Sequence, residues 1–263
     1  MYNILTSMDQ MFNSMSGLSQ FDMANIFKMN DYSSQTQNHL FQVYLSLMLC
    51  VLAAACGAAT SMYFRVTSDM SMLGALGAMG MLMWISWDTR KEEVQRRMGL
   101  LCGFGFLEGL SIGPLAALAV LIDPALIVTA FLGTVAVFAC FSGAAVVAKR
   151  RSYLYLGGML GSAVSLMLLL GLANMFLRSD SFLLVQLYGG LLLFSGYVIF
   201  DTQVILERAE SGSKDVVGHA ATLFVDFVAI FVRLLIILMR NSNSNRNRDR
   251  NGKTRRDRDR SEF

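Results

Sequence analysis

Charge is what this chain has least of. Of its 263 residues only 16% are Asp, Glu, Lys or Arg, whereas 54% are hydrophobic. A soluble domain carries about a quarter charged residues, so a water-exposed globular surface is excluded for most of the chain. Cysteine and histidine are also scarce. The four cysteines, Cys50, Cys56, Cys102 and Cys140, all fall inside apolar stretches. That excludes a disulfide framework and a zinc site built on short paired spacings, and leaves small apolar packing as their role. The two histidines, His39 and His219, sit at the edges of apolar stretches. No Ser-His-Asp or Cys-His set can therefore be assembled within the apolar runs, and neither enzyme activity nor a tightly bound metal or cofactor is expected.

What is abundant is apolar sequence in runs of about 20 residues, each long enough to cross a bilayer as a helix. Seven such runs are recognised, at 40–64, 70–87, 99–122, 125–148, 153–177, 182–200 and 220–239. They are continuous rather than alternating, which excludes a transmembrane barrel of roughly ten-residue strands. The expected fold is all-α: a polytopic membrane helical bundle of six transmembrane helices plus a seventh, central or re-entrant, segment. Residues 1–38 form a polar N-terminal region, 39–239 the transmembrane domain, and 240–263 a basic tail of low complexity that is expected to be disordered. No basic start leads into an apolar core at the N-terminus, so no signal peptide is expected. Met8, Met11, Phe12, Met15, Leu18 and Phe21 fall at helical spacing. That fits a helix lying on the membrane surface, and the low basic content fits loose structure equally well.

Loop charges predict orientation. Arg90, Lys91, Arg96 and Arg97 fall between the second and third runs. Lys149, Arg150 and Arg151 fall between the fourth and fifth, and Arg208 and Lys214 between the sixth and seventh. The alternate loops hold only Arg65 and Arg178. By the positive-inside rule the richer set faces the cytosol, and the N-terminus with it. The tail strains this rule. Its nine basic residues against four acidic ones lie on the far side if the last run spans. A re-entrant last run resolves the conflict, as does a full span with a tail that breaks the rule. Both stay open from sequence.

Four ionisable side chains are out of place for a bilayer. Asp226 and Arg233 lie in the last run, Asp201 ends the run before it, and Glu108 sits in the third. Such groups cost several kcal/mol, about 3 on insertion scales, unless paired or hydrated, and are functional candidates by default. Asp226 and Arg233 are about 10.5 Å apart along a helix axis and share a face, so a water-bridged pair is one bland reading. Asp201 beside Thr202 and Gln203 at a membrane edge is another. Asp123 reads as a helix cap before Pro124. Gly105, Gly109 and Gly113 recur every four residues, as do Gly157 and Gly161, and Gly74, Gly77 and Gly80 recur every three. Such ridges let helix backbones approach closely inside one bundle. Gly189, Gly190 and Gly196 near Asp201 suggest a tight or flexible helix end.

The stretch Leu-Leu-Cys-Gly-Phe-Gly-Phe-Leu-Glu-Gly-Leu-Ser-Ile-Gly-Pro at 100–114 resembles the Bax inhibitor-1 family, also called the transmembrane Bax inhibitor motif-containing proteins. The likeness continues through Thr-Ala-Phe-Leu-Gly-Thr at 129–134, Arg-Arg-Ser-Tyr-Leu-Tyr-Leu-Gly-Gly at 150–158, Phe-Asp-Thr-Gln at 200–203 and Leu-Phe-Val-Asp-Phe at 223–227. The resemblance implies a protein of the endoplasmic-reticulum (ER) membrane that suppresses apoptosis, moderates ER stress and lets calcium leak from the ER in a pH-dependent way. It implies that Asp201 and Asp226 form the carboxylate pair that gates the leak. Two features depart from the family pattern. Close relatives often have an aspartate four residues before the one matching Asp226, where this chain has Thr222. The arginine that latches the pair in bacterial members has no matched position, Arg65 lying in a loop and Arg233 on the last run. Glu108 fits a position that varies between Glu and Thr.

The chemistry of such a pair follows from its charges. Two carboxylates held close cannot both ionise easily, and they titrate as a unit. A shared proton holds their segments together. Loss of both protons pushes them apart and leaves hard oxygen ligands that suit calcium better than zinc or copper. Glu108 and Arg233 are candidate pore-lining or partner groups. Expected partners are the lipid bilayer, transient Ca2+, and Bcl-2-family or other apoptosis regulators, with no nucleic acid. The main alternative is a membrane scaffold without transport. An intramembrane aspartyl protease fits less well, because its motifs are Tyr-Asp and Gly-x-Gly-Asp, whereas the contexts here are Phe-Asp and Val-Asp, and the Pro-Ala-Leu at 124–126 precedes the fourth run.

Overall fold

The computed structural model describes residues 33–88, 93–148, 155–177 and 179–261. Arg90, Lys91, Lys149, Arg150, Arg151, Arg178, the helical Met pattern of the N-terminal region and part of the motif at 150–158 lie outside the described residues. Among the described residues there are seven helices and no strand: α1 (Ser34–Tyr63), α2 (Ser68–Trp87), α3 (Val94–Ile122), α4 (Ala125–Val147), α5 (Leu156–Leu177), α6 (Asp180–Glu210) and α7 (Val216–Ser261). Each is long and apolar enough to cross a membrane. Large apolar side chains such as Leu73, Leu169, Leu172 and Phe176 stand exposed around the outside, as a lipid-facing surface requires. Trp87 is exposed at the end of α2, in keeping with an interfacial aromatic.

The helix ends follow local chemistry. Ser33 caps α1 by accepting a hydrogen bond from the Thr36 amide at 3.2 Å. At its other end Val66 N donates to Ser61 O and Arg65 N to Met62 O. This is a Schellman closure with Arg65, at φ 51°, in the left-handed position that glycine usually fills. Asp123 Oδ1 accepts from the Ala125 amide at 2.9 Å, the capping role expected of it before Pro124. Asp215 Oδ1 accepts from Gly218 N at 2.9 Å and so caps the first turn of α7.

Helix packing rests on small residues, because lipid gives apolar surfaces little incentive to leave it. The ridge of α3 lies against α1. A Cβ built on Gly105 stands 2.6 Å from Cys50 O, one on Gly109 stands 1.9 Å from Ala54 O, and one on Gly113 stands 2.1 Å from the Ser61 side chain. The reciprocal contact is Gly57 of α1 against Phe106 O of α3. The ridges elsewhere are shorter than the spacing suggests. Gly74 and Gly77 face leucines of α3 and Gly157 faces Phe200, whereas Gly80 and Gly161 meet open space.

The last helix is the centre of the bundle. It packs against α1, α3, α4 and α6 and touches α2, while α5 lies at the periphery on α6. Its buried residues Val217, Leu223, Phe224 and Ile230 join Leu101 and Phe104 of α3 in one core. Of the two forms expected for the last segment, the structure takes the central one. The helix runs through 220–239 without a return of the chain, and it continues to Ser261 into the polar tail.

Candidate functional site

Asp201 and Asp226 come together. α6 continues past Asp201 to Glu210, so Asp201 lies within a helix and not at the end of one, which corrects the boundary at 200. The neighbours that a membrane-edge reading would leave solvated are buried instead: Thr202 is fully enclosed and Gln203 nearly so. Gln203 Nε2 donates to Ala145 O of α4 at 2.7 Å. Thr202 Oγ1 is 3.4 Å from Ser142 Oγ, which in turn hydrogen-bonds the Tyr44 hydroxyl of α1. The two residues after Asp201 therefore fix α6 against α4 and α1, and in doing so aim Asp201 at α7. There Asp226 is 3% exposed, and the two carboxyl groups lie within hydrogen-bonding reach of each other. A carboxylate only accepts, so a hydrogen bond between the two requires one of them to hold a proton. Asp226 Oδ2 is buried and, among the described residues, receives no hydrogen bond from an N–H or hydroxyl donor, which leaves the Asp201 carboxyl as its neighbour. Arg208, two turns on along α6, places a positive charge near Asp201, and Tyr197, one turn before it, lies in the field of both acids.

Arg233 does not neutralise Asp226. The helices run antiparallel, so the positions two turns beyond Asp226 on α7 oppose those two turns before Asp201 on α6. Arg233 lies there with its guanidinium 4.4 Å from the centroid of the Phe194 ring, and its Nη1 donates to Ala229 O at 2.8 Å. A Cβ on Gly190 would stand 2.3 Å from Arg233 Nε. Gly190 thus makes room for the guanidinium in mid-helix, which corrects the expectation of a helix end at these glycines. Arg233 and Glu108 line one cavity of about 340 Å³ between α2, α3 and α7, walled by Phe104 and Phe224. The cavity brings these two candidates together, apart from the aspartate pair. Thr222, one turn before Asp226, is exposed and bonds back to Gly218 O at 3.1 Å.

The description "inhibitor of apoptosis-promoting Bax1" belongs to the family model that matches residues 36–243 of this chain, nearly the whole bundle. The chain belongs to the Bax inhibitor-1 family. It is 44% identical to Bax inhibitor 1 of Bos taurus over 221 residues, covering 82% of this chain and 92% of the bovine protein. It is 41% identical to Bax inhibitor 1 of Homo sapiens over 218 residues, with the same coverage. It is 41% identical to that of Arabidopsis thaliana over 232 residues, covering 88% of this chain and 92% of the plant protein. As a member of the Bax inhibitor-1 family the chain is a multi-pass membrane protein of an apoptosis-inhibiting group.

One part of this bundle escapes a reading of loop charges. Arg97, counted there with the cytosolic loop, lies in the first turn of α3 and is 1% exposed. Its Nη1 donates to Asp215 Oδ1 at 2.7 Å and its Nη2 to Ile85 O at 3.2 Å. The pair ties α3 and the end of α2 to the cap of α7. The missed signal is periodicity: Arg97, Leu101 and Phe104 occupy one helical face, and that face is buried. The four cysteines are free, and Cys50 packs at the close contact of α1 with α3, its Sγ 3.4 Å from Leu101 O.

Proposed function

We propose that the chain is an anti-apoptotic protein of the ER membrane. In this reading it suppresses cell death linked to ER stress and passes calcium in a pH-dependent way through the Asp201–Asp226 pair. The meeting of the two carboxyl groups inside the bundle, one from α6 and one from α7, is the observation that supports it best. With one proton shared, the pair is a hydrogen bond that holds α6 to α7. Without that proton the same contact becomes a repulsion between like charges, stronger in an apolar interior than in water. The helices then separate and two hard oxygen groups face the opening, a set suited to Ca2+. Two carboxylates are too few for tight storage, which favours passage. Glu108 and Arg233 line the neighbouring cavity, where Glu108 offers a further oxygen group and Arg233, stacked on Phe194, opposes entry of cations. The N-terminus faces the cytosol, as the loop charges suggest, and apoptosis regulators are the protein partners.

Calcium flux into proteoliposomes of the purified chain, followed across about pH 6 to 8, tests this, since a coupled carboxylate pair changes charge stepwise. The double variant Asp201→Asn, Asp226→Asn is expected to lose the pH dependence of the leak. An unchanged profile in that variant ends the gating role.

A second reading is a membrane scaffold without transport. Its support is the basic tail carried past the bundle on α7, which can hold anionic lipid at about 1 kcal/mol per Lys or Arg near the surface. That reading expects deletion of residues 240–263 to abolish cell protection and the two Asp→Asn changes to leave it intact. The leak reading expects the reverse order of damage.

A further inference from the structure

The chain has two histidines, and the fold places them against each other. His39, on the first turn and a half of α1, and His219, on the first turn of α7, have Nε2 and Nδ1 3.0 Å apart. Their rings meet edge to face with centroids 5.2 Å apart. His219 is 4% exposed. The contact closes a polar layer at one end of the bundle. Thr36, one turn before His39, donates to Glu210 Oε1 at 2.6 Å, and the Ser33 amide donates to the same oxygen at 3.2 Å. Four residues before His219, Asp215 holds Arg97 and caps α7.

We infer that His39 and His219 form a proton-binding site that clamps the start of α7 to α1 and releases it when both rings are charged. A neutral imidazole has one N–H and one lone pair, so two neutral rings make one hydrogen bond. One added proton is also accommodated, because a charged ring donates to a neutral one. A second proton removes the last lone pair at the contact. The hydrogen bond is then lost, and two cations face each other across 3.0 Å. The Asp215 carboxylate acts on His39, and the acids nearest the pair are already engaged by other donors. Asp215 faces the pair from the turn before α7, and Arg97 from α3 already holds that carboxylate at 2.7 Å. Glu210 of α6 reaches α1 one turn before His39, where Thr36 and Ser33 hold it. α2 offers the Ile85 carbonyl, already bonded to Arg97. α4 contains no charged residue.

The site acts on the acid pair through a rigid element. His219, Asp226 and Arg233 recur every seven residues along α7, two turns apart on one face. Release of His219 frees the helix end two turns above Asp226. This clamp does not depend on the leak: it is a property of the α1–α7 contact and is tested without any transport measurement.

Because the chain has only these two histidines, labelling its histidines with nitrogen-15 reports on them alone. The full chain, in lipid nanodiscs, is titrated over about pH 5 to 8, where imidazoles change charge, and the ring nitrogens are followed by NMR. The expected result is two steps, each shared by both rings and separated by more than about one pH unit, the mark of interacting sites. One independent step per ring overturns the inference. In the same sample, amide exchange at Val216–Leu223, corrected for intrinsic rate, is expected to quicken about three- to tenfold at the acid end, the range for loss of one net hydrogen bond. His39→Gln is expected to leave a single step for His219 and to abolish the acid quickening, whereas Asp201→Asn with Asp226→Asn keeps both. Two steps in His39→Gln, or their loss in the double aspartate variant, also overturns it. Should His39→Gln fail to fold, the titration of the unaltered chain decides.

Discussion

Replacing Arg97 by Met is the sharpest test of how this bundle holds its central helix. Methionine keeps much of the side-chain length and removes both donors, the one at 2.7 Å to Asp215 and the one at 3.2 Å to Ile85 O. Breaking a buried ion pair from one side costs about 3–5 kcal/mol, because a charge is left uncompensated. Two features lower the figure here. Asp215 keeps the Gly218 amide and a side chain that is 16% exposed. It also sits at the start of α7, where the helix dipole favours an anion by about 0.3–1 kcal/mol. The expected loss is therefore about 2–4 kcal/mol. At about 2–4 °C per kcal/mol for chains of this length, Tm falls about 5–15 °C. Asp215→Asn is expected to cost more, since it strands a guanidinium that is 1% exposed. The double change is expected to fall short of the sum by about 1.5 kcal/mol or more, as for groups in one buried network. Thermal unfolding in detergent micelles, followed by far-ultraviolet circular dichroism, measures all three. A loss below about 1 kcal/mol for Arg97→Met, or strict additivity in the cycle, would refute the reasoning.

Other consequences follow from the same geometry. Gly109→Ala puts a methyl 1.9 Å from Ala54 O, so α1 and α3 must part, at a cost of about 1–3 kcal/mol or more; Gly161→Ala, which meets open space, is expected to change unfolding by less than about 0.5 kcal/mol. Gly190→Ala displaces the Arg233 guanidinium from Phe194 and is expected to raise calcium flux, as is Arg233→Met, whereas Glu108→Gln lowers it; flux at fixed pH checks the opposed signs. Thr222→Asp adds a carboxylate one turn from Asp226 and is expected to raise calcium flux and steepen its pH dependence, measured in the same vesicles. A flux profile that matches the unaltered chain counts against a role for that position.

Much of the fold was legible because a bilayer restricts what can cross it. Seven apolar runs could become only helices, and each did, to within a few residues at most ends. The errors lie where a polar residue was taken as a boundary. Asp201 was read as the end of a run and Arg97 as part of a loop, yet both helices continue through them. Hydropathy cannot distinguish a polar residue that ends a helix from one that a partner satisfies inside it. The partner of Arg97 is 118 residues away and that of His39 is 180 residues away, and no local pattern carries such distances. The stripe of Asp226 and Arg233 was visible as spacing, but spacing alone allowed the two to neutralise each other. What separates them is Gly190 and Phe194 on another helix.

The sequence by itself determined the class of the fold, the number of its helices and the presence of Glu108, Asp226 and Arg233 inside apolar runs. Those properties depend on segment length and residue type, which solvent reads directly. The tertiary structure decided which of those groups meet. It set Asp226 against Asp201, Arg233 against Phe194, Arg97 against Asp215 and His219 against His39, because each pairing depends on how α7 is turned and seated among its neighbours. That seating is fixed by glycine ridges and buried hydrogen bonds contributed by distant parts of the chain.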